Sequence, residues 1–198
     1  MAIETEVKLL IPDLELFRTN LGRLNPVRIS ERHFEDNYVL DFPDARMRSG
    51  GRLLRIRITS SVSFLTFKEA ALPEGPFKSR EELETPVQDG LAALEILRRI
   101  GTQVWFRYQK YREEFSVLFG KGNGEVHVAL DETPVGTFAE LEGKEELIRR
   151  VAEKVGFSES HFIKDSYYSL YLRYCGDRGV IPGNMLFAAE NNAIRQEL

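Results

Sequence analysis

The chain is expected to fold as an α+β protein in which an antiparallel β-barrel with an ionic lumen carries its helices on the outside. Three observations predict this. Charged side chains recur at every second position in several strand-like segments, four other segments repeat apolar residues at helical spacing, and turn formers separate them. Helices need an apolar sheet face to bury their stripes against, so the apolar strand faces belong toward the helices and the ionic faces toward one another.

With 198 residues, 42% hydrophobic and 29% charged, the chain reads as one globular domain with a sizeable core. A net charge of -4 argues against a generally basic nucleic-acid binder but allows a local cationic pocket. Cys175 has no second cysteine to pair with, no basic segment followed by an apolar run opens the chain, and no apolar stretch could span a bilayer. A reduced, cytoplasmic location without a membrane partner is therefore expected; the oligomeric state, monomer or homodimer, stays open.

The first strand, "IETEVKLLI", sets Ile3, Thr5, Val7 and Leu9 on one face and Glu4, Glu6 and Lys8 on the other. Asp13 caps a short helix with Leu14, Phe17, Leu21 and Leu24 at helical spacing. A short strand is expected around residues 38–41, and Gly50-Gly51 then deliver the chain into a strand where Arg55 and Arg57 alternate with Leu54, Ile56 and Ile58. The next strand carries Lys68 in phase with Phe64 and Thr66. After the loop "LPEGP", a strand from residue 78 puts Arg80, Glu82 and Glu84 on one face. Asp89 to Gly101 is the clearest helix, with an apolar stripe of Leu91, Leu94, Leu97 and Ile100. Residues 105–119 form a strand with Lys110, Arg112 and Glu114 in phase, and "GKGNG", with a solvated Lys121, turns it into strand 125–132, which holds Asp131. Residues 137–143 bring Glu140 and Glu142 into phase. A helix follows at 144–157 with Leu147, Val151 and Val155 buried, then a shorter one at 163–174; the segment from Cys175 onward has no assignment.

So many lumen charges would cost several kcal/mol per ion unless they pair, coordinate metal or bind a charged ligand. Carboxylates spaced by one residue are hard oxygen donors suited to Mg²⁺ or Mn²⁺. The cationic heads of Lys8, Arg55, Arg57, Lys68, Arg80, Lys110 and Arg112 suit phosphate oxygens, so the mixture fits a metal-bound polyphosphate. Some members have a plainer reading: Arg80 with Glu82, and Glu114 with Lys110 and Arg112, could be cross-strand ion pairs. Glu4, Glu6, Glu140 and Glu142 resist it, because two carboxylates on one strand face repel unless a cation sits between them. His33, His127 and His161 lack metal-ligand spacing and read as surface or packing residues.

These residues resemble a known family. Glu4-x-Glu6-x-Lys8 near the N-terminus resembles the signature of the CYTH family, the triphosphate tunnel metalloenzymes, which includes class IV adenylyl cyclases and thiamine triphosphatases. The likeness continues through "DNYVLDFPDARMRSGGRLLRIR", Lys68, "KSREELE", "KYR", "ALDE", "GTFAELEG" and "KDSYYSL". It implies an eight-stranded antiparallel barrel over residues 1–174, a tunnel open at both ends, with residues 175–198 as a C-terminal extension. It also implies that Glu4 and Glu6 help hold a divalent cation and that Asp131, Glu140 and Glu142 hold the catalytic one. Lys8, Arg55, Arg57, Lys68, Arg112 and Lys164 would contact phosphates, with Lys8, Arg55, Arg57 and Arg112 acting in catalysis. Lys110, Arg80, Glu82 and Glu84 would complete the substrate site, the last two on an acidic strand whose duty varies in the family. "VLDF" stands where the family often has Phe-Asp-Thr, so that loop's part in substrate choice is not carried over. The implied activity is metal-dependent hydrolysis of a small triphosphate: tripolyphosphate, thiamine triphosphate or a nucleoside triphosphate. The alternatives are cyclisation of ATP to cyclic AMP and pyrophosphate, which needs a purine pocket that no segment declares, and a noncatalytic polyphosphate or nucleotide sensor.

Overall fold

The structure, a computed structural model, describes residues 2–72, 75–120 and 124–188. In chain order the elements are β1 (Ala2–Leu10), α1 (Leu14–Gly22), β2 (Val27–Asp41), α2 (Arg46–Ser49), β3 (Leu53–Ile58), β4 (Ser63–Lys68), β5 (Lys78–Val87) and α3 (Gly90–Arg99). They continue with β6 (Gln103–Leu118), β7 (Glu125–Thr133), β8 (Gly136–Gly143), α4 (Glu145–Lys154) and α5 (Tyr167–Arg178). The eight strands close into a barrel in the order β1-β5-β4-β3-β2-β6-β7-β8, every neighbouring pair antiparallel.

Alternation decides which way each strand faces. On β1, Val7 and Leu9 point outward into a core shared with Val126, Val128, Leu141 and the α1 and α4 side chains Phe17, Leu21, Leu147, Ile148 and Val151. Glu6 and Lys8 point inward and are nearly as buried. Each fully buried Val, Leu or Ile in that outer core contributes roughly 1.5–3 kcal/mol, so this seam, not the lumen, holds the wall together. Asp13 caps α1 by accepting from the Leu16 N–H at 2.9 Å.

Three elements differ from expectation. β2 begins at Val27, far ahead of residue 38, because register shifts near Arg28 and Ser30 break the alternation that would reveal it. The α3 stripe is only half used: Leu91 and Ile100 are exposed, and the helix meets the sheet mainly at Gly90, where a Cβ would stand 2.5 Å from the Ser63 hydroxyl oxygen. α5 runs past residue 174 to Arg178, with Cys175 buried, and ends at Gly179 in the left-handed region at φ 63°.

Beyond it, Met185 bonds in both directions to β6, N–H to Arg107 O and O from Gln109 N–H, each 3.0 Å. β7 pairs with β6 only from Tyr111 onward, so this strap supplies partners to the stretch of β6 that β7 leaves open. Lys121 and the centre of its turn, Pro73 and Glu74 of the "LPEGP" loop, and the extension past residue 188 lie outside the described residues. Among the described residues no helix is long and apolar enough to cross a membrane.

Candidate functional site

A cavity of about 1070 Å³ runs through the barrel. Of the residues singled out from the sequence, Glu4, Glu6, Lys8, Arg55, Arg57, Lys68, Arg80, Glu82, Glu84, Lys110, Arg112, Glu140, Glu142 and Lys164 all line it. Asp131 alone among them does not; it is fully buried beneath Lys110, Arg112 and Tyr167. Strand direction gives the cavity a polarity. Glu4, Glu142, Glu114 and His127 lie toward the end where β1 starts and β8 finishes, while Lys8 and Lys78 lie toward the other, beside α2, α5 and Lys164.

The deepest cations are held by buried acceptors. Arg112 donates to both Asp131 oxygens at 2.6 Å, and Lys110 at 2.9 Å and the Tyr167 hydroxyl at 2.6 Å donate to Oδ2. Four donors fill the roughly four acceptor positions of a carboxylate. Arg112 also contacts Glu140, which lies 3.1 Å from Lys8 Nζ. The Tyr167 ring stands between Lys8 and Lys110, each 5.3 Å from its centroid. On the opposite wall, Arg55 donates to Tyr108 at 3.1 Å and Thr66 at 3.2 Å, and Arg57 reaches Glu84 at 2.7 Å. Lys68 lies 2.8 Å from Glu4 and 2.6 Å from Glu82. Lys164 donates to the Gly75 carbonyl at 2.8 Å, tying the segment before α5 to the loop before β5.

Two expected ion pairs form differently. Glu82 pairs with Lys68, while Arg80 sits 3.7 Å from Glu4 and from Glu6. Glu114 accepts from Ser30 at 2.8 Å and faces His127 at 3.4 Å, rather than Lys110 or Arg112. His127 therefore belongs to the cavity wall, not to ordinary surface. Glu35, Lys78 and Tyr167 were not anticipated. Glu35 is almost wholly buried, within 3.5 Å of Lys110 and 3.4 Å of Arg57. Lys78 was legible as the residue two before Arg80 in the same phase, and Glu35 as the continuation upstream of the inward set Asn37, Val39 and Asp41.

The titrations follow the same geography. Burial pushes the Glu4 carboxyl up to about 8, helped by its contact with Glu82, and burial also raises Glu142. Burial would raise Glu140 as well, but Lys8 and Arg112 hold it well below the usual range. Lys78 is pushed down to about 8 by burial and by Lys8. A carboxyl crowded enough to hold its proton near neutral pH, as Glu4 is, belongs to a donor set that a divalent cation would relieve. Glu6 Oε1, buried in the same cluster, faces Lys78 at 3.3 Å, Lys8 at 3.6 Å and Arg80 at 3.7 Å. As the side chains stand, no three carboxylates or imidazoles among the described residues converge at ligand spacing; Lys and Arg heads occupy the space between them. The carboxylate oxygens of Glu4, Glu6, Glu140 and Glu142 are of the hard donor type that suits a divalent cation.

A family model described as the CYTH domain matches residues 2–167. A solved structure of a candidate adenylate cyclase from Vibrio parahaemolyticus superposes with a TM-score of 0.72 at 20% identity, covering 85% of this chain and 97% of that one. A conserved hypothetical protein from Pyrococcus furiosus gives 0.67 at 27% identity over 84% and 99% of the two chains. A candidate adenylyl cyclase from Hippeastrum, described as having a dominant triphosphatase activity, gives 0.61 at 17% identity over 90% and 97%. No curated protein sequence matches significantly.

Proposed function

The chain belongs to the CYTH family, and on that premise we propose that it hydrolyses a small triphosphate inside the barrel with a divalent cation, Mg²⁺ or Mn²⁺. The observation that carries this is one cavity whose wall brings Lys8, Arg55, Lys110 and Arg112 together with the Glu4, Glu82 and Glu142 carboxyls. A polyanion and its cation would each find the opposite charge already in place.

In phosphoryl transfer the protein's task is positioning and charge stabilisation, since charge spreads over the phosphoryl oxygens in the transition state. Arg112 and Lys110, fixed by Asp131, and Arg55, fixed by Tyr108 and Thr66, reach nonbridging oxygens without reorganising. Asp131, with its acceptor positions filled by Arg112, Lys110 and Tyr167, serves in this reading as their positioning residue. Lys8 neutralises charge from the side of β1, and the substrate takes over the counter-charge that Glu140 supplies in the free protein. The divalent cation, when bound by the Glu4, Glu6, Glu140 and Glu142 set, supplies Lewis-acid neutralisation of the phosphate oxygens. Water reaches the carboxylate end, where the His127 and Glu84 side chains are 30% and 27% exposed.

The test is to incubate the protein with ATP, tripolyphosphate or thiamine triphosphate and Mg²⁺ or Mn²⁺, and to separate the products. Inorganic phosphate that vanishes in Lys8→Ala and Glu140→Gln, and in EDTA, is the expected result. Cyclic AMP with equimolar pyrophosphate would replace hydrolysis by cyclisation, and tight binding without products would make the chain a sensor.

A further inference from the structure

The cavity extends beyond its ionic part. At about 1070 Å³ it stands at the upper end of the roughly 300–1,000 Å³ of most small-molecule sites, and its wall turns from ionic to aromatic toward α2 and α5. There β6 pairs Phe106 with Val39 but Val104 with Leu40, so one residue, Trp105, is extra. Such a bulge re-aims a side chain. By strict alternation Trp105 would share the outward phase of Arg107; instead its ring lines the cavity. It meets the Tyr168 ring of α5 at 4.6 Å and 79°, a corner rather than a stack, and the Arg48 guanidinium lies 5.2 Å from its centroid. A flat ring laid against this corner would meet an aromatic face, an aromatic edge and a cation together.

We propose that Trp105 and Tyr168, with Arg48, form a specificity subsite for a planar heteroaromatic group, so that the substrate is an organic triphosphate carrying such a ring and not inorganic tripolyphosphate. The inference rests on the reading of the lumen as a triphosphate site and extends it from the phosphate chain to the group attached. Lys8, Lys110 and Arg112 take the phosphates, and the ring projects toward the mouth formed by α2 and the start of α5. Arg48 is fixed for this contact, its guanidinium 3.2 Å from buried Asp41, which also accepts the Met47 N–H at 3.0 Å.

Trp105 is the only tryptophan in the chain, so its emission reports this corner alone. The experiment titrates the protein, with Mg²⁺, against the β,γ-imido analogue of ATP, the corresponding pyrimidine analogue, thiamine triphosphate and tripolyphosphate. Saturable quenching by at least one ring-bearing compound, with tripolyphosphate displacing it but leaving emission unchanged, is expected; the ranking of ring compounds identifies which heterocycle is meant. Tyr168→Ala, which keeps the reporter, should raise the Kd of the best ring compound about tenfold more than that of tripolyphosphate, equivalent to about 1.4 kcal/mol. Trp105→Phe, assayed by displacement, repeats the comparison should Tyr168→Ala fail to fold. Emission unmoved by every ring compound, equal quenching by tripolyphosphate, or equal weakening of both ligand classes overturns the subsite. Quenching without any phosphate release would sink the hydrolase reading and leave the subsite standing, whereas phosphate release from tripolyphosphate without quenching by ring compounds would do the reverse.

Discussion

Replacing Asp131 by Asn tests whether this carboxylate is the counter-charge on which the cationic half of the lumen is built. The side chain is fully buried and accepts from Arg112 twice, from Lys110 and from Tyr167. An amide offers one acceptor oxygen and turns N–H groups toward donors. Removing one partner of a buried ion pair costs about 3–5 kcal/mol. Arg112 retains Glu140 and Lys110 retains Glu35 at 3.5 Å, which places the loss at the lower end, about 3 kcal/mol. For a chain of this size that lowers the melting temperature by about 6–12 °C. Tyr167→Phe, which removes one neutral donor, should cost only about 1 kcal/mol. The assay is thermal unfolding of wild type and both variants in EDTA, followed by triphosphate KM at a temperature where each is folded; KM should rise in Asp131→Asn because the two cations lose their fixed orientation. A melting point within about 2 °C of wild type would refute the reasoning. Unchanged stability together with weakened Mn²⁺ binding would make Asp131 a metal ligand instead.

The raised Glu4 titration, from 4.5 to about 8, means that between those values the folded chain keeps a proton the unfolded chain has released. Stability in EDTA should therefore fall as pH rises from about 5 toward about 8, and Glu4→Gln should flatten the slope; Lys78 acts in the opposite sense only above about 8. Leu141→Ala removes a fully buried side chain between α4 and the sheet and should cost about 2–5 kcal/mol by denaturant unfolding, with triphosphate binding kept. Met185→Ala should cost a comparable amount, because its side chain is as buried as the barrel core; stability equal to wild type would make the strap dispensable. Amides of β5 should exchange faster than those of β7 and β8 and be slowed most by tripolyphosphate with Mg²⁺, since Leu83 on that strand is half exposed and no helix packs on it as α4 packs on β8.

Period-2 charge was a sufficient signal wherever a strand keeps its alternation unbroken by a bulge. On β1, β3, β5 and β8 the alternation gave the inward face directly, and with it Glu4 through Glu142. It failed where the backbone departs from regularity. β2 carries polar or exposed residues on both faces near its start, Val27 and Ile29 included, so no greasy face marked it as a strand and Glu35 went unseen. The bulge at Trp105 reverses phase for one residue, which no alternation rule can anticipate. Asp131 was found in phase, but its surroundings depend on Tyr167, brought from a helix thirty-six positions away in sequence. Side chains that meet through tertiary packing leave no local pattern to read.

The same contrast explains how the barrel tolerates its lumen. Buried ion pairs are weak evidence for stability, because desolvation offsets most of their attraction. Here the stabilising apolar contacts lie outside, between α1, α4 and the outer faces of β1, β6, β7 and β8. The aromatic cluster of Phe106, Tyr108, Phe138 and Tyr167 then fixes α5 against the cationic end. Lys8, Arg112 and Glu140 are thus positioned by strands whose other faces bury Val7, Leu9, Phe115, Val117, Ala139 and Leu141, whereas Arg80, Glu82 and Glu84 sit on β5, whose outer face is largely exposed. A ligand bridging the two walls would meet rigid cations on one side and the more weakly supported strand on the other. Binding energy could then close the weaker wall onto the ligand without disturbing the groups that orient the phosphates.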